Sequence, residues 1–186
     1  MRGLSKFERA WEKFTEESKL QHGGHTDPDW RGDHTLSAAF VIPVEVGDFV
    51  DRIAPLRDAI RPFPFVSLHP DYFMHISLVL IGFVDERAGE LPDLELHTLA
   101  ENARSALSSF GEFEVRLANL GAFPSAAYIE AHDENGELND LRETLLLGCG
   151  LESKPGPPHL TLAYFRAADG TRVPDELIRA IEPYRD

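Results

Sequence analysis

The strongest constraint on how this chain can fold is a pair of apolar runs that open alike. His75-Ile76-Ser77 begins one and His159-Leu160-Thr161 begins the other. Their β-branched and aliphatic neighbours mark both as strands. In a strand, residues i and i+2 share a face. Each tripeptide thus presents an imidazole and a hydroxyl side by side. The first strand sets His75, Ser77 and Val79 against Met74, Ile76, Leu78 and Leu80. The second sets His159, Thr161 and Ala163 against Leu160, Leu162 and Tyr164. One such strand alone reads as a half-buried element with a hydrogen-bonded histidine. Two, one in each half of the chain, read as two sides of one site with two proton-transfer groups and two hydroxyl donors. That inventory suits attack on a phosphodiester without a metal.

Around these runs the chain alternates between helical and strand periodicity. Leu4 to Leu20 has Leu4, Phe7, Trp11 and Phe14 at helical spacing. Gln21 to Asp33, rich in Gly, Asp and His, reads as a linker. Thr35 to Val44 reads as a buried strand. A helix from about Val46 to Ile60 places Val46, Val50, Ile53 and Ile60 on one side and ends at Pro62 and Pro64. Phe65 to Leu68 reads as a short strand and Tyr72 to Phe83 as a long one. Asp93 to Phe110 forms a second amphipathic helix through Leu96, Leu99, Ala103, Ala106 and Phe110.

The second half follows a similar plan. Strands are expected at Phe113–Leu120 and Ala126–Ala131, linked by Gly121-Ala122-Phe123-Pro124-Ser125. A helix at Leu138–Leu147, a strand at His159–Phe165 and a short helix at Asp175–Ile181 complete it. The expected fold class is α+β: two pseudo-symmetric lobes of antiparallel sheet with flanking helices around a central cleft. Residues 1–33 form an N-terminal helix and linker, and residues 34–186 a single two-lobed domain.

Composition narrows the function. The 186 residues carry a net charge of −14 and are 42% hydrophobic, which describes a globular protein without the basic surface that extended nucleic-acid binding requires. A small phosphate ester, or an RNA end in a locally positive cleft, remains compatible. No apolar run approaches the roughly 20 residues that span a bilayer, so no membrane partner is expected. Met1 to Leu20 lacks the apolar segment of a signal peptide. Together with the single Cys149 this points to the cytoplasm.

With the motif strands and their flanks read, the chain resembles a known family. Leu68-His69-Pro70-Asp71-Tyr72-Phe73-Met74-His75-Ile76-Ser77-Leu78-Val79-Leu80-Ile81-Gly82-Phe83-Val84-Asp85 is similar to the first motif region of the two-histidine phosphoesterases, in their branch of 2′-5′ RNA ligases and RNA cyclic phosphodiesterases. Leu120-Gly121-Ala122-Phe123-Pro124 resembles that branch's link between paired strands, and Pro158-His159-Leu160-Thr161-Leu162-Ala163 its second motif. The resemblance spans about Leu36 to Phe165. It implies both motifs at the base of one cleft, His75 and His159 as the acid–base pair, and Ser77 and Thr161 holding the non-bridging phosphate oxygens. It also implies a nucleotide or RNA end bearing a 2′,3′-cyclic phosphate as partner, with joining of 2′-5′ links as related chemistry. No cofactor and no metal are expected. The family often carries a basic residue after each motif, where this chain has Val79 and Tyr164.

Other residues carry weaker signals. Phe123 and Tyr128 lie where a base or ribose could stack, with core packing as the competing role for Phe123. Arg116 and Arg166 are candidates for phosphate contact, against a solvated face. His22, His25, His34, Asp27, Asp29 and Asp33 are metal-ligand types in no recognised spacing, which favours a solvated linker. His69, six residues before His75, reads as a turn residue, with a place lining the cleft mouth as the alternative, and His97 and His132 read as surface residues. Lys154-Pro155-Gly156-Pro157-Pro158 forms a stiffened entry to the second motif strand. The N-terminal helix reads as a cap on one lobe, or as a dimer contact through Phe7, Trp11 and Phe14, with a monomer expected. Two other functions stay open: a nucleotide-binding module without turnover, and a phosphodiesterase for another small cyclic phosphate such as an ADP-ribose derivative.

Overall fold

The computed structural model describes residues 5–17, 19–23, 31–45, 47–84, 92–154, 156–168 and 170–185. Leu4, His25, Asp27, Asp29, Val46 and Pro155 lie outside them. The elements are α1 (Lys6–Glu17), β1 (Ser37–Pro43), α2 (Phe49–Ile60), β2 (Val66–Leu68), β3 (His75–Phe83), α3 (Asp93–Ala106), β4 (Arg116–Phe123), β5 (Ala126–His132), α4 (Glu137–Cys149), β6 (His159–Phe165) and α5 (Asp175–Ile181). The strands form a six-stranded antiparallel sheet in the order β1-β3-β6-β5-β4, with β2 added to β6. The motif strands β3 and β6 are therefore central neighbours, one from each half of the chain.

Helices cover the apolar face of this sheet. Ile53 and Ile60 of α2, Ala103 of α3, Leu138, Leu141 and Leu145 of α4, and Leu177 and Ile181 of α5 join Ile76, Leu78, Ile129, Leu160, Leu162 and Phe165 in one core. Burial of so many aliphatic side chains, each contributing about 1.5–3 kcal/mol when fully covered, is what holds helices and sheet together. Gly148 of α4 faces Ala106 of α3, and a Cβ there would stand 2.4 Å from the Ala106 Cβ, so close helix packing requires the glycine.

The N-terminal helix is integrated with the sheet. Phe14 and Leu20 are fully buried in the common core, Phe7 is buried too, and α1 packs along β4. Arg185 near the C-terminus lies over the Trp11 ring at 4.4 Å. The apolar stripe of α1 is thus covered within the molecule, a correction to its reading as a dimer contact.

Three expectations change in the strands. β1 alternates exposed and half-buried residues, because it is an edge strand with one open face, not a buried one. β4 runs through Gly121 to Phe123 and leaves only Pro124 and Ser125 for the turn. Gly121 stands opposite Tyr128, and a Cβ on it would lie 2.6 Å from the Tyr128 ring. The glycine therefore serves strand packing and not a loop. The third change, a bulge in each motif strand, belongs to the site.

Candidate active site

β3 and β6 meet through the antiparallel pair Ile76↔Leu160. Continuing that register by one residue each way sets His75 opposite Thr161 and Ser77 opposite His159. Each imidazole thus faces the hydroxyl of the other motif. In that register the two histidines are diagonal neighbours, a relationship that separates residues by roughly 7–8 Å on a pleated face. Ser77 is exposed and the other three are half-buried, so all four open to the same surface.

The main chain fixes both rings in the same tautomer. His75 Nδ1 lies 2.7 Å from the Phe73 carbonyl oxygen, and His159 Nδ1 lies 2.8 Å from that of Pro157. A carbonyl only accepts, so each Nδ1–H donates and each Nε2 is left for chemistry. In both motifs the acceptor lies two residues before the histidine. Each ring is also braced by aromatic neighbours. Phe73 meets His75 edge-on at 4.9 Å and His69 does so at 5.7 Å. Phe123 meets His159 edge-on at 5.0 Å, and Tyr128 stands 5.1 Å from it while stacking on Phe123 at 4.2 Å.

A β-bulge follows each motif at the same place. In β3 the partner of Val41 is Ser77 and that of Phe40 is Val79, leaving Leu78 as the extra residue. In β6 Tyr128 pairs with Thr161 and Ala127 with Ala163, leaving Leu162 as the extra residue. A bulge reverses the alternation beyond it. Val79 (1% exposed) and Ala163 (0%) consequently enter the core, while Leu80 is 53% exposed and Tyr164 half-buried. This corrects the assignment of Val79 and Ala163 to the site face: the residues that follow the motifs on that face are Leu80 and Tyr164.

The surroundings of the two histidines differ in electrostatics. Burial, partly opposed by the Pro157 carbonyl, lowers the His159 pKa below its ordinary value, and the charges of Arg142 and His75 add to the lowering. The neutral ring is therefore favoured at His159. Burial also pushes up the Tyr128 phenol, helped by the Glu130 carboxylate and opposed by Arg185, which keeps that hydroxyl protonated. Glu130, opposite His159 in the β5–β6 ladder, is buried and accepts from His132 Nε2 at 2.9 Å and from Asn119 Nδ2 at 3.4 Å. On the His75 side, Arg57 pairs with Asp71 and donates to the His69 carbonyl at 2.7 Å, tying down the turn that carries the Phe73 carbonyl.

The remaining candidates fall in different places. Phe123 is half-buried and reaches the His159 ring. Tyr128 is fully buried, so its ring supports Phe123 and His159 from below, a correction to its reading as a stacking surface for a ligand. Arg116 is exposed at the outer end of edge strand β4, two strands from β6 and opposite His132. Arg166 is exposed seven residues beyond His159, roughly 23 Å along an extended strand. The structure brings neither arginine to the histidine pair.

Sequence reasoning missed several neighbours. His69, between β2 and the turn before β3, is buried, donates its backbone N–H to the Leu162 carbonyl at 2.7 Å and packs edge-on to Tyr164 at 5.6 Å and to His75 at 5.7 Å. His132 is half-buried against Glu130 rather than a surface residue. Buried Arg142 was overlooked because its helix supplied no motif. An arginine on the apolar side of α4, between Leu138, Leu141 and Leu145, was the available signal. Among the described residues no group of three His, Cys, Asp or Glu side chains is placed to hold a metal ion, and no helix is long and apolar enough to cross a membrane.

Residues 42–185 match the 2′-5′ RNA ligase superfamily. The chain belongs to that family of two-histidine phosphoesterases. The match takes in both motifs, the strand pair β4–β5 and the bulges. A conserved protein of unknown function from Agrobacterium tumefaciens has a similar fold, at 17% identity and a TM-score of 0.54 over 80% of this chain and 70% of its own. A Thermus thermophilus protein aligns at 23% identity and a TM-score of 0.49 over 75% and 79% of the two chains. A structure described as a phosphoesterase aligns at 16% identity and 0.47, over 75% and 78%. No curated protein matches the sequence significantly.

Proposed function

We propose that this family member is a metal-independent phosphodiesterase that opens 2′,3′-cyclic phosphates on nucleotides or RNA ends, with joining of 2′-5′ links as related chemistry at the same site. The observation that carries the reading is the matched pair of imidazoles, each held by a carbonyl two residues earlier, on two strands that meet at Ile76↔Leu160 between the motifs. Neutral His159 takes a proton from water through Nε2 as the water oxygen attacks phosphorus. The P–O bond to one ribose oxygen breaks, and protonated His75 delivers its Nε2 proton to that oxygen. Ser77 and Thr161 donate to the non-bridging oxygens, whose charge is redistributed in the transition state. Products are a phosphomonoester and a free hydroxyl, with the two rings returned to their starting states by solvent.

The net charge of −14 and the uncharged Leu80 and Tyr164 beside the motifs favour a small substrate or a single RNA end over a long polyanion. The protein acts as a monomer in this reading. The test is an EDTA-treated assay with the four 2′,3′-cyclic mononucleotides, a 2′-5′-linked dinucleotide and a cyclic phosphate derived from ADP-ribose. Turnover of a cyclic mononucleotide supports the reading. Turnover of the ADP-ribose compound alone moves the substrate elsewhere, and binding of all without turnover replaces the enzyme with a binding module.

A further inference from the structure

The seam between the two motif strands has little main-chain pairing of its own. β3 and β6 share the single registered pair Ile76↔Leu160, and beyond it β6 pairs with β2 instead. A site that needs two imidazoles at a fixed separation requires something more across this junction. Arg142 stands there. It comes from α4, in the second half of the chain, and is 4% exposed. One end of its guanidinium donates to the Ser77 carbonyl at 2.8 Å, in the first motif. The other end donates to the Gly156 carbonyl at 2.8 Å. Gly156 immediately precedes Pro157, whose carbonyl fixes the His159 tautomer.

Its Nε is buried with no hydrogen-bond partner among the described residues, and the Asp133 carboxylate acts on the guanidinium through its charge. Burying a guanidinium between two neutral carbonyls is expensive where packing alone is at stake, and an aliphatic residue would suit the apolar side of α4 better. What an aliphatic residue lacks is the rigid fork that reaches two carbonyls at once. A lysine lacks it too, because its ammonium is a point charge on a flexible stem.

We infer that Arg142 is a positioning residue of the two-histidine site, a clamp across the seam that holds the Ser77 strand and the Gly156–Pro157 turn in register so that His159 keeps its orientation towards His75. The inference rests on the two-histidine reading of the site. The groups recorded against His159 are His75 from β3, Phe123 from β4, Tyr128 from β5 and Arg142 from α4, with Glu130 opposite it in the β5–β6 ladder. Of these, Arg142 is the one that also donates to the main chain on both sides of the seam, at Ser77 and at Gly156, three residues before His159.

The test compares Arg142→Lys and Arg142→Met with Leu145→Ala, a core truncation on the same helix that touches neither carbonyl. Each is measured per folded molecule, with the melting temperature recorded separately. A misplacement of about 1 Å costs on the order of 100-fold in rate. Both Arg142 variants are expected to lose kcat on that scale while KM moves by less than about threefold. Leu145→Ala is expected to lower the melting temperature and keep kcat. The ring ¹⁵N spectrum supplies a readout independent of turnover: wild-type His159 shows the Nδ1–H tautomer alone, and Arg142→Lys shows a mixture of tautomers.

Near-wild-type kcat in Arg142→Lys overturns the inference. So does a loss of kcat no larger than that of Leu145→Ala, or a loss with the His159 ring signals unchanged. If the wild type turns over no cyclic phosphate, the proposed activity fails while the tautomer comparison still decides the role of Arg142.

Discussion

Leu78 and Leu162 hold the same post in the two halves of the molecule: each is the extra residue of a β-bulge three places after a motif histidine. The pairing explains why Leu80 and not Val79 shares the open face with His75. It also makes the two motifs alike over a longer stretch than the His-x-hydroxyl tripeptides. Each motif is an oriented histidine, a hydroxyl, a bulge and then a residue returned to the site.

The bulge predicts opposite fates for adjacent substitutions. Leu80→Lys is expected to change stability by no more than about 0.5 kcal/mol, as at other exposed positions, and to lower KM for a phosphate substrate. Val79→Lys buries an ammonium in the core and is expected to prevent folding at ordinary temperature. Thermal melts of the two variants, with KM for the first, check this. A folded Val79→Lys would contradict the register of β3.

Replacing either motif histidine is expected to abolish measurable turnover and leave the fold intact. General acid and base catalysis are each worth about 10²–10⁴-fold, and both rings stand half-buried at the site. His75→Ala and His159→Ala should give wild-type circular dichroism and kcat reduced by at least about 100-fold. A single variant with near-wild-type rate would sink the two-histidine mechanism.

The lowered pKa of His159 has two signs to check, one in rate and one in stability. In rate, the neutral base persists below the ordinary histidine value of about 6.5, so the acid limb of kcat/KM lies below that value. In stability, the unfolded chain takes up this proton first as pH falls. The contribution is fully present above about pH 6.5 and is lost as pH drops towards the lowered folded value. His159→Asn removes this component, so urea unfolding at about pH 7 and about pH 5 should show a smaller acid loss in the variant than in the wild type.

Gly121→Ala tests the support beneath the site. Its methyl would press on the Tyr128 ring at 2.6 Å, and overpacking of this kind costs about 1–3 kcal/mol. Since Tyr128 contacts both Phe123 and His159, kcat is expected to fall along with the melting temperature. A stable variant with full activity would show that the ring can shift without disturbing the imidazole.

The parts visible in the sequence were those written in local periodicity. β6 and α5 occupy the expected spans, and β3 begins at His75, after a helical turn at Asp71–Phe73. Alternation within a strand cannot show an inserted residue, so Leu80 was assigned to the wrong face. Glycine was read as a loop former at Gly121, because the demand it meets comes from a ring on the next strand. His69 and Arg142 escaped for a related reason. Both act through partners far along the chain, at Leu162, Ser77 and Gly156, and nothing in their own neighbourhoods advertises the contact.

The carbonyls of Phe73 and Pro157 have a consequence for how such a site can change. Many active-site histidines depend on a distant carboxylate for orientation, and lose their tautomer when that partner mutates. Here the orienting group is main chain and lies two residues away. A substitution elsewhere cannot remove the acceptor itself and acts only by moving the turn that carries it, which Arg142 holds for Pro157 and Arg57 for Phe73. Each motif carries its own acceptor, and residues outside the motif hold that acceptor in place. The two motifs are alike in this construction, and in the proposed mechanism it is burial around His159, with the charge of Arg142 beside it, that makes this ring the base. On that proposal, moving the burial and the neighbouring cation from His159 to His75 would exchange the duties of the two rings without replacing either histidine.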